Sequence, residues 1–157
     1  MSRSRAVEAW ALAPLDAFVH EVQARLVLVM TPVGQVLAQW GFTRAVDVMS
    51  TAALGAGIIA STGEMARLLG QRPFPTLSHE GERFGIFLGS FPTGRGPLVA
   101  FVVYPLGTSS LGIVQLFFEH FAADLQEASP KEPATQRVLA ADFERDLTDS
   151  LNALFGR

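Results

Sequence analysis

RLVLVMTPVGQVLAQWG, residues 25–41, decides the fold. It reads as two strands, 25–31 and 35–40, joined by the turn Thr31-Pro32-Val33-Gly34. Proline presets one central φ of such a turn, and glycine accepts the positive φ that follows. Leu26 to Met30 show no polar alternation at all. A strand covered on both faces has that composition, whereas a strand with one wet face alternates. The second strand sets Val36, Ala38 and Trp40 on one face. A greasy strand followed by a mixed one places the first inside a sheet and the second toward its rim.

Working outward, Leu15, Phe18, Val19 and Val22 fall at helical spacing after Pro14, so a helix is expected over 14–23. A long helix follows over 44–69, ended by Gly70. Three strands are expected near 75–81, 84–91 and 97–104, with turns at Gly81 to Gly85 and Thr93 to Gly96. SSLGIVQLFFEHFAADLQEA (109–128) is the next helix, with Ser109 or Ser110 as its N-cap. SPKEPATQ is a polar linker. AADFERDLTDSLNALF (140–155) is helical again, with Phe143, Leu147, Leu151 and Leu154 in one apolar stripe. Asp142, Glu144, Asp146 and Asp149 lie off that stripe.

Leu98 to Tyr104 is the second greasy strand. Putting the two greasy strands in the middle gives an α/β (α+β) fold. Its five-stranded antiparallel sheet has the order 2-1-5-4-3, with helices on both faces. The expected domain plan is an N-terminal extension (1–13), the sheet domain (14–127), a linker (128–138) and a C-terminal amphipathic helix (139–157). The connection from edge to edge spans four strand spacings, roughly 19 Å. A 25-residue helix is roughly 37 Å long and can lie diagonally across that face.

The middle of the long helix, STAALGAGIIAST (50–62), contains two glycines, each costing about 1 kcal/mol relative to alanine. Ala53, Ala56, Gly57 and Ala60 share one face; Ala52, Gly55 and Ile59 share a neighbouring one. One face can lie on the sheet, and a second copy of the helix can fill the other. The strand around His79 is an unprotected edge, which also invites self-association.

Composition bounds the remaining chemistry. The chain has 157 residues, 49% hydrophobic and 17% charged, with a formal net charge of −3. That excludes disorder, and no basic run points to nucleic acid. The absence of cysteine removes disulfides and thiolate chemistry and fits a cytoplasmic protein. No window reaches about 18 uncharged apolar residues, so no membrane span is expected. His20, His79 and His120 are not at ligand spacing, and no metal or cofactor is expected. HEGER (79–83) lacks the second histidine of a zincin helix. GAGIIA (55–60) matches a nucleotide fingerprint only formally, since it lies inside a helix rather than after a strand. TGRGP (93–97) is not a phosphate loop, and GTSSLG (107–112) reads as a turn and cap.

VLVMTPVGQVLAQWG, LLGQRPFPTLSHEGERFGIFLG, SLGIVQLFFEHFAADL and the ending LAADFERDLTDSLNALFGR resemble the Roadblock/dynein light chain family. Within it the chain looks most like the bacterial MglB-type activators of a Ras-like polarity GTPase. The terminal helix discriminates most, since minimal Roadblock domains lack it. The resemblance implies a homodimer joined through sheet edges and central helices, with Ala53, Ala56, Gly57, Ala60 and His79 at the interface. It implies a platform on the paired helices for a small GTPase of the MglA type. Arg44, Asp47, Val48 and Thr51 are the candidate contacts there, and Phe143, Leu147, Leu151 and Leu154 would reach a second site. It implies stimulation of GTP hydrolysis without an arginine finger, in a regulator of cell polarity and motility that has no active site of its own. The alternative is a non-catalytic Roadblock scaffold that tethers complexes.

Overall fold

The computed structural model describes residues 4–131 and, beyond them, Arg145, Leu147, Thr148 and Leu154. The elements are β1 (Ser4–Ala6), a 3-10 turn (Ala9–Ala11), α1 (Leu12–Val22), β2 (Leu26–Met30) and β3 (Val36–Trp40). They continue with α2 (Ala45–Leu68), β4 (Thr76–Glu80), β5 (Phe84–Phe91), β6 (Leu98–Pro105) and α3 (Leu111–Ala128). The strands form one antiparallel sheet in the order β1-β3-β2-β6-β5-β4. The expected five-strand order is present, but the sheet has a sixth strand. β1 pairs with β3 through Ser4↔Trp40, Arg5↔Gln39 and Ala6↔Ala38, so β3 is not the rim. Three residues are too few for alternation to announce a strand, and β1 takes its register from a partner more than thirty positions away.

The greasy strand is central and faces two ways. Val27 and Val29 join the larger core beneath α1 and α3, while Leu28 and Met30 join a smaller one under α2. β6 pairs with β2 throughout, Leu26↔Val103 to Met30↔Val99. The turn between β2 and β3 closes with the Gly34 amide donating to the Thr31 carbonyl at 2.9 Å, and Gly34 has φ +91°. The larger core is aromatic. Phe18 of α1 stacks on Phe121 of α3 at 4.5 Å, and Phe118 meets Phe87 and Phe91 edge-on at 5.0 and 5.9 Å. Ser110 caps α3, its Oγ accepting from the Ile113 amide at 3.3 Å.

α2 crosses the opposite face from β3 to β4, as its length requires. Gly70, at φ +66°, follows its last turn. The expected C-terminal amphipathic helix falls mostly outside the described residues. Arg145, Leu147, Thr148 and Leu154 are helical there.

Candidate partner-binding surface

α2 is the unusual element. Of its 24 residues only Ala52, Gly55 and Ala66 are buried. Val48, Ala52 and Ile59 pack on Leu28, Met30 and Val99, with Phe42 and Phe101 at the margin. Gly55 lets the helix settle: a Cβ there would meet Met30 Cε at 2.7 Å. Helical periodicity turns the other positions outward. One flank carries Met49, Ala53 and Ala60. The other carries Leu54, Met65 and Leu69. Met49 is 70% exposed, Leu54 69% and Leu68 73%. Large apolar side chains are thus exposed on both flanks, among Asp47, Glu64 and Arg67, and exposed apolar surface of this kind is a candidate for interaction. By length and composition alone α2 is also apolar enough to cross a bilayer. Its uncharged run, residues 48–63, is bounded by Asp47 and Glu64.

The candidate self-association residues divide. Ala53, Gly57 and Ala60 are exposed, and nothing lies within 4 Å of a Cβ built on Gly57. Packing among the described residues therefore does not explain that glycine. Ala56 is half-buried, because a Cβ at Gly34 would stand 3.5 Å from its own Cβ. It lies against the β2–β3 turn as well as facing out. His79 is exposed on β4, which among the described residues pairs only with β5.

Arg44 occupies the N-cap position of α2, and its Nε lies 3.7 Å from Asp47 Oδ2. Both side chains are more than half exposed, so the pair contributes little to stability. Val48 and Thr51 are half-buried, Val48 turned toward the small core. Leu147 and Leu154 are exposed, whereas Phe143 and Leu151 lie outside the described residues. Arg95, on the β5–β6 turn, has its guanidinium 3.9 Å from Glu8. Among the described residues no group of three or more His, Asp or Glu side chains is placed to hold a metal ion.

A groove of about 360 Å³ opens between β1, β3 and the start of α2. Val36, Phe42, Val48 and Met49 form its apolar wall, and Arg5 and Arg44 stand at its rim. Gln39 lines it and is 8% exposed; its Oε1 accepts from the Phe42 amide at 3.2 Å. Sequence reasoning misses this groove because one wall is β1. The available signal is faint, an Arg-Ser-Arg run ahead of the first helix.

Solved structures place the architecture. Myxococcus xanthus MglB superimposes with a TM-score of 0.67 at 28% identity, over 76% of this chain and 94% of that one. The gliding protein MglB from Thermus thermophilus does so with a TM-score of 0.66 at 27% identity, over 76% of this chain and 87% of that one. The chain has a Roadblock/MglB-like fold. A Roadblock/LC7 domain from Streptomyces avermitilis shares it with a TM-score of 0.61 at 12% identity, over 71% of this chain and 91% of its own. No protein-family model matches the sequence, and no curated protein does.

Proposed function

We propose that this protein is a homodimeric, cytoplasmic regulator of a small Ras-like GTPase of the MglA type, stimulating GTP hydrolysis without an active site of its own. The observation that carries the reading is joint. The chain is 27–28% identical to MglB proteins across nearly their whole length, and its α2 leaves apolar flanks uncovered in the single chain. In this reading two copies of α2 pair through Ala53, Gly57 and Ala60, with Ala56 alongside, and the β4 edges meet near His79. The paired helices form a platform, and Arg44, Asp47, Val48 and Thr51 engage the GTPase near its switch regions. Phe143, Leu147, Leu151 and Leu154 reach a second site on it. A similar MglB structure is described in a tetrameric arrangement, which supports association between copies.

No arginine of this chain is asked to enter the GTPase site. The regulator acts by differential binding: it stabilises the arrangement in which the GTPase's own catalytic groups are aligned. Mixing the protein with a GTP-loaded Ras-like GTPase and following phosphate release tests the reading. Acceleration supports it. Binding without acceleration supports the scaffold reading in its place, and absence of binding overturns the regulator reading.

A further inference from the structure

The groove between β1, β3 and the start of α2 is apolar inside and basic at its mouth. Its wall is Val36, Phe42, Val48 and Met49, and Met49 is 70% exposed. Arg5 forms no ion pair among the described residues, and Arg44 has only the loose contact with Asp47. Gln39 is more than nine-tenths buried, and its Oε1 accepts from the Phe42 amide. The first turn of α2 begins here with no side-chain cap, so its backbone N–H groups add positive potential. The site therefore calls for an apolar stripe edged with carboxylates.

The chain contains one such segment. In a helix over 139–157, Phe143, Leu147, Leu151 and Leu154 form the stripe. Asp142, Asp146 and Asp149, at i, i+4 and i+7, line one flank of it, and Glu144 lies on the other. Arg145 falls on the far side. The stripe matches the groove wall, and the acidic flanks match Arg5, Arg44 and the α2 N-terminus.

The chain can reach. Lys131 stands at the β5–β6 turn, where a Cβ on Gly94 would lie 3.9 Å from Lys131 Cα. Arg95 on the same turn extends to Glu8, and the next residue back, Val7, lines the groove. Residues 132–138 span up to about 24 Å when extended. We propose that the C-terminal segment 139–157 docks in this groove of its own chain when no partner is bound. Docking would cover Leu147 and Leu154, which are exposed in the undocked position of this structure, and bring Leu147 and Leu151 against Phe42, Val48 and Met49, with the carboxylates toward Arg5 and Arg44. Arg44 and Val48 also belong to the surface proposed for the GTPase, so the segment must leave before that end of α2 is engaged. The docking is a property of the protein without a GTPase. Its test contains none, so it stands or fails separately from the function above.

The absence of native cysteine makes the test direct. Asn152→Cys in the full-length protein carries a nitroxide on the side away from the stripe, and amide signals report what it approaches. The expected result is selective broadening of residues 36–49, diminished by Leu147→Asp with Leu151→Asp. Arg5→Glu is expected to reduce the broadening, and adding Asp146→Arg to restore it. Mixing spin-labelled protein with isotope-labelled protein that carries no nitroxide separates the chain's own segment from that of a second copy. Broadening that appears fully in the mixture assigns the groove to the other copy's segment and overturns docking within one chain. Broadening confined to the α1–α3 side near Pro14, Phe117 and His120, no broadening, or indifference to Arg5→Glu also overturns the proposal.

Discussion

Gly57→Ala separates two explanations of the small residues in α2, because they predict opposite signs. Among the described residues a Cβ on Gly57 meets nothing within 4 Å. If that were the whole environment, alanine would simply favour the helix, by about 1 kcal/mol. For a domain of this size that raises the Tm by about 2–4 °C. If a second α2 packs at Gly57, the same methyl enters a close backbone contact. Overpacking there costs about 1–3 kcal/mol, which raises the dimer Kd by about 5- to 150-fold. Sedimentation over a concentration series gives Kd, and thermal melts at low and high concentration give the sign. The expected pattern is a higher Tm for Gly57→Ala when dilute, together with a weakened dimer. An unchanged dimer Kd in Gly57→Ala would refute the pairing of α2 at this position.

Three further outcomes are expected. Arg44→Glu with Asp47→Lys reverses the exposed pair while keeping its attraction, so folding and dimerisation should hold. GTPase affinity should drop about tenfold, ~1.4 kcal/mol; unchanged affinity in calorimetry removes this patch from the docking surface. Tyr104 is fully buried over Gly85 with its hydroxyl unpartnered. Burial, and to a smaller degree the Glu80 charge, push its phenol above the ordinary value near 10. Above pH ~10 the unfolded chain therefore loses that proton more readily than the native one, and stability should fall as pH rises. Tyr104→Phe should remove that alkaline fall and stabilise the fold by about 1–2 kcal/mol, read from denaturant melts at pH ~7 and above ~10. In Gly89→Ala the new Cβ would meet Phe118 ring atoms at 2.3–2.7 Å, in a ring already wedged against Phe87 and Phe91. It should destabilise by about 1–3 kcal/mol in the same assay, and a neutral result would mean that the ring has room to move.

The central sheet was legible because its signal is local and redundant. Leu26 to Met30 carry no polar side chain, so they must be covered twice, and Gly34 and Gly70 punctuate where backbone sterics demand. The caps, the turns and the diagonal course of α2 follow from the same short-range rules. β1 was not legible: three residues carry no period, and their pairing with Trp40, Gln39 and Ala38 is a long-range fact. Nor was the division of labour between Gly55 and Gly57 of α2. Both look alike in sequence, yet Gly55 seats Met30 while Gly57 faces open space. Periodicity assigns residues to faces, but only the packed fold says which face is already covered. The groove at Arg5 and Gln39 belongs to that second kind of knowledge, since its walls are brought together by strand pairing between segments that the sequence keeps far apart.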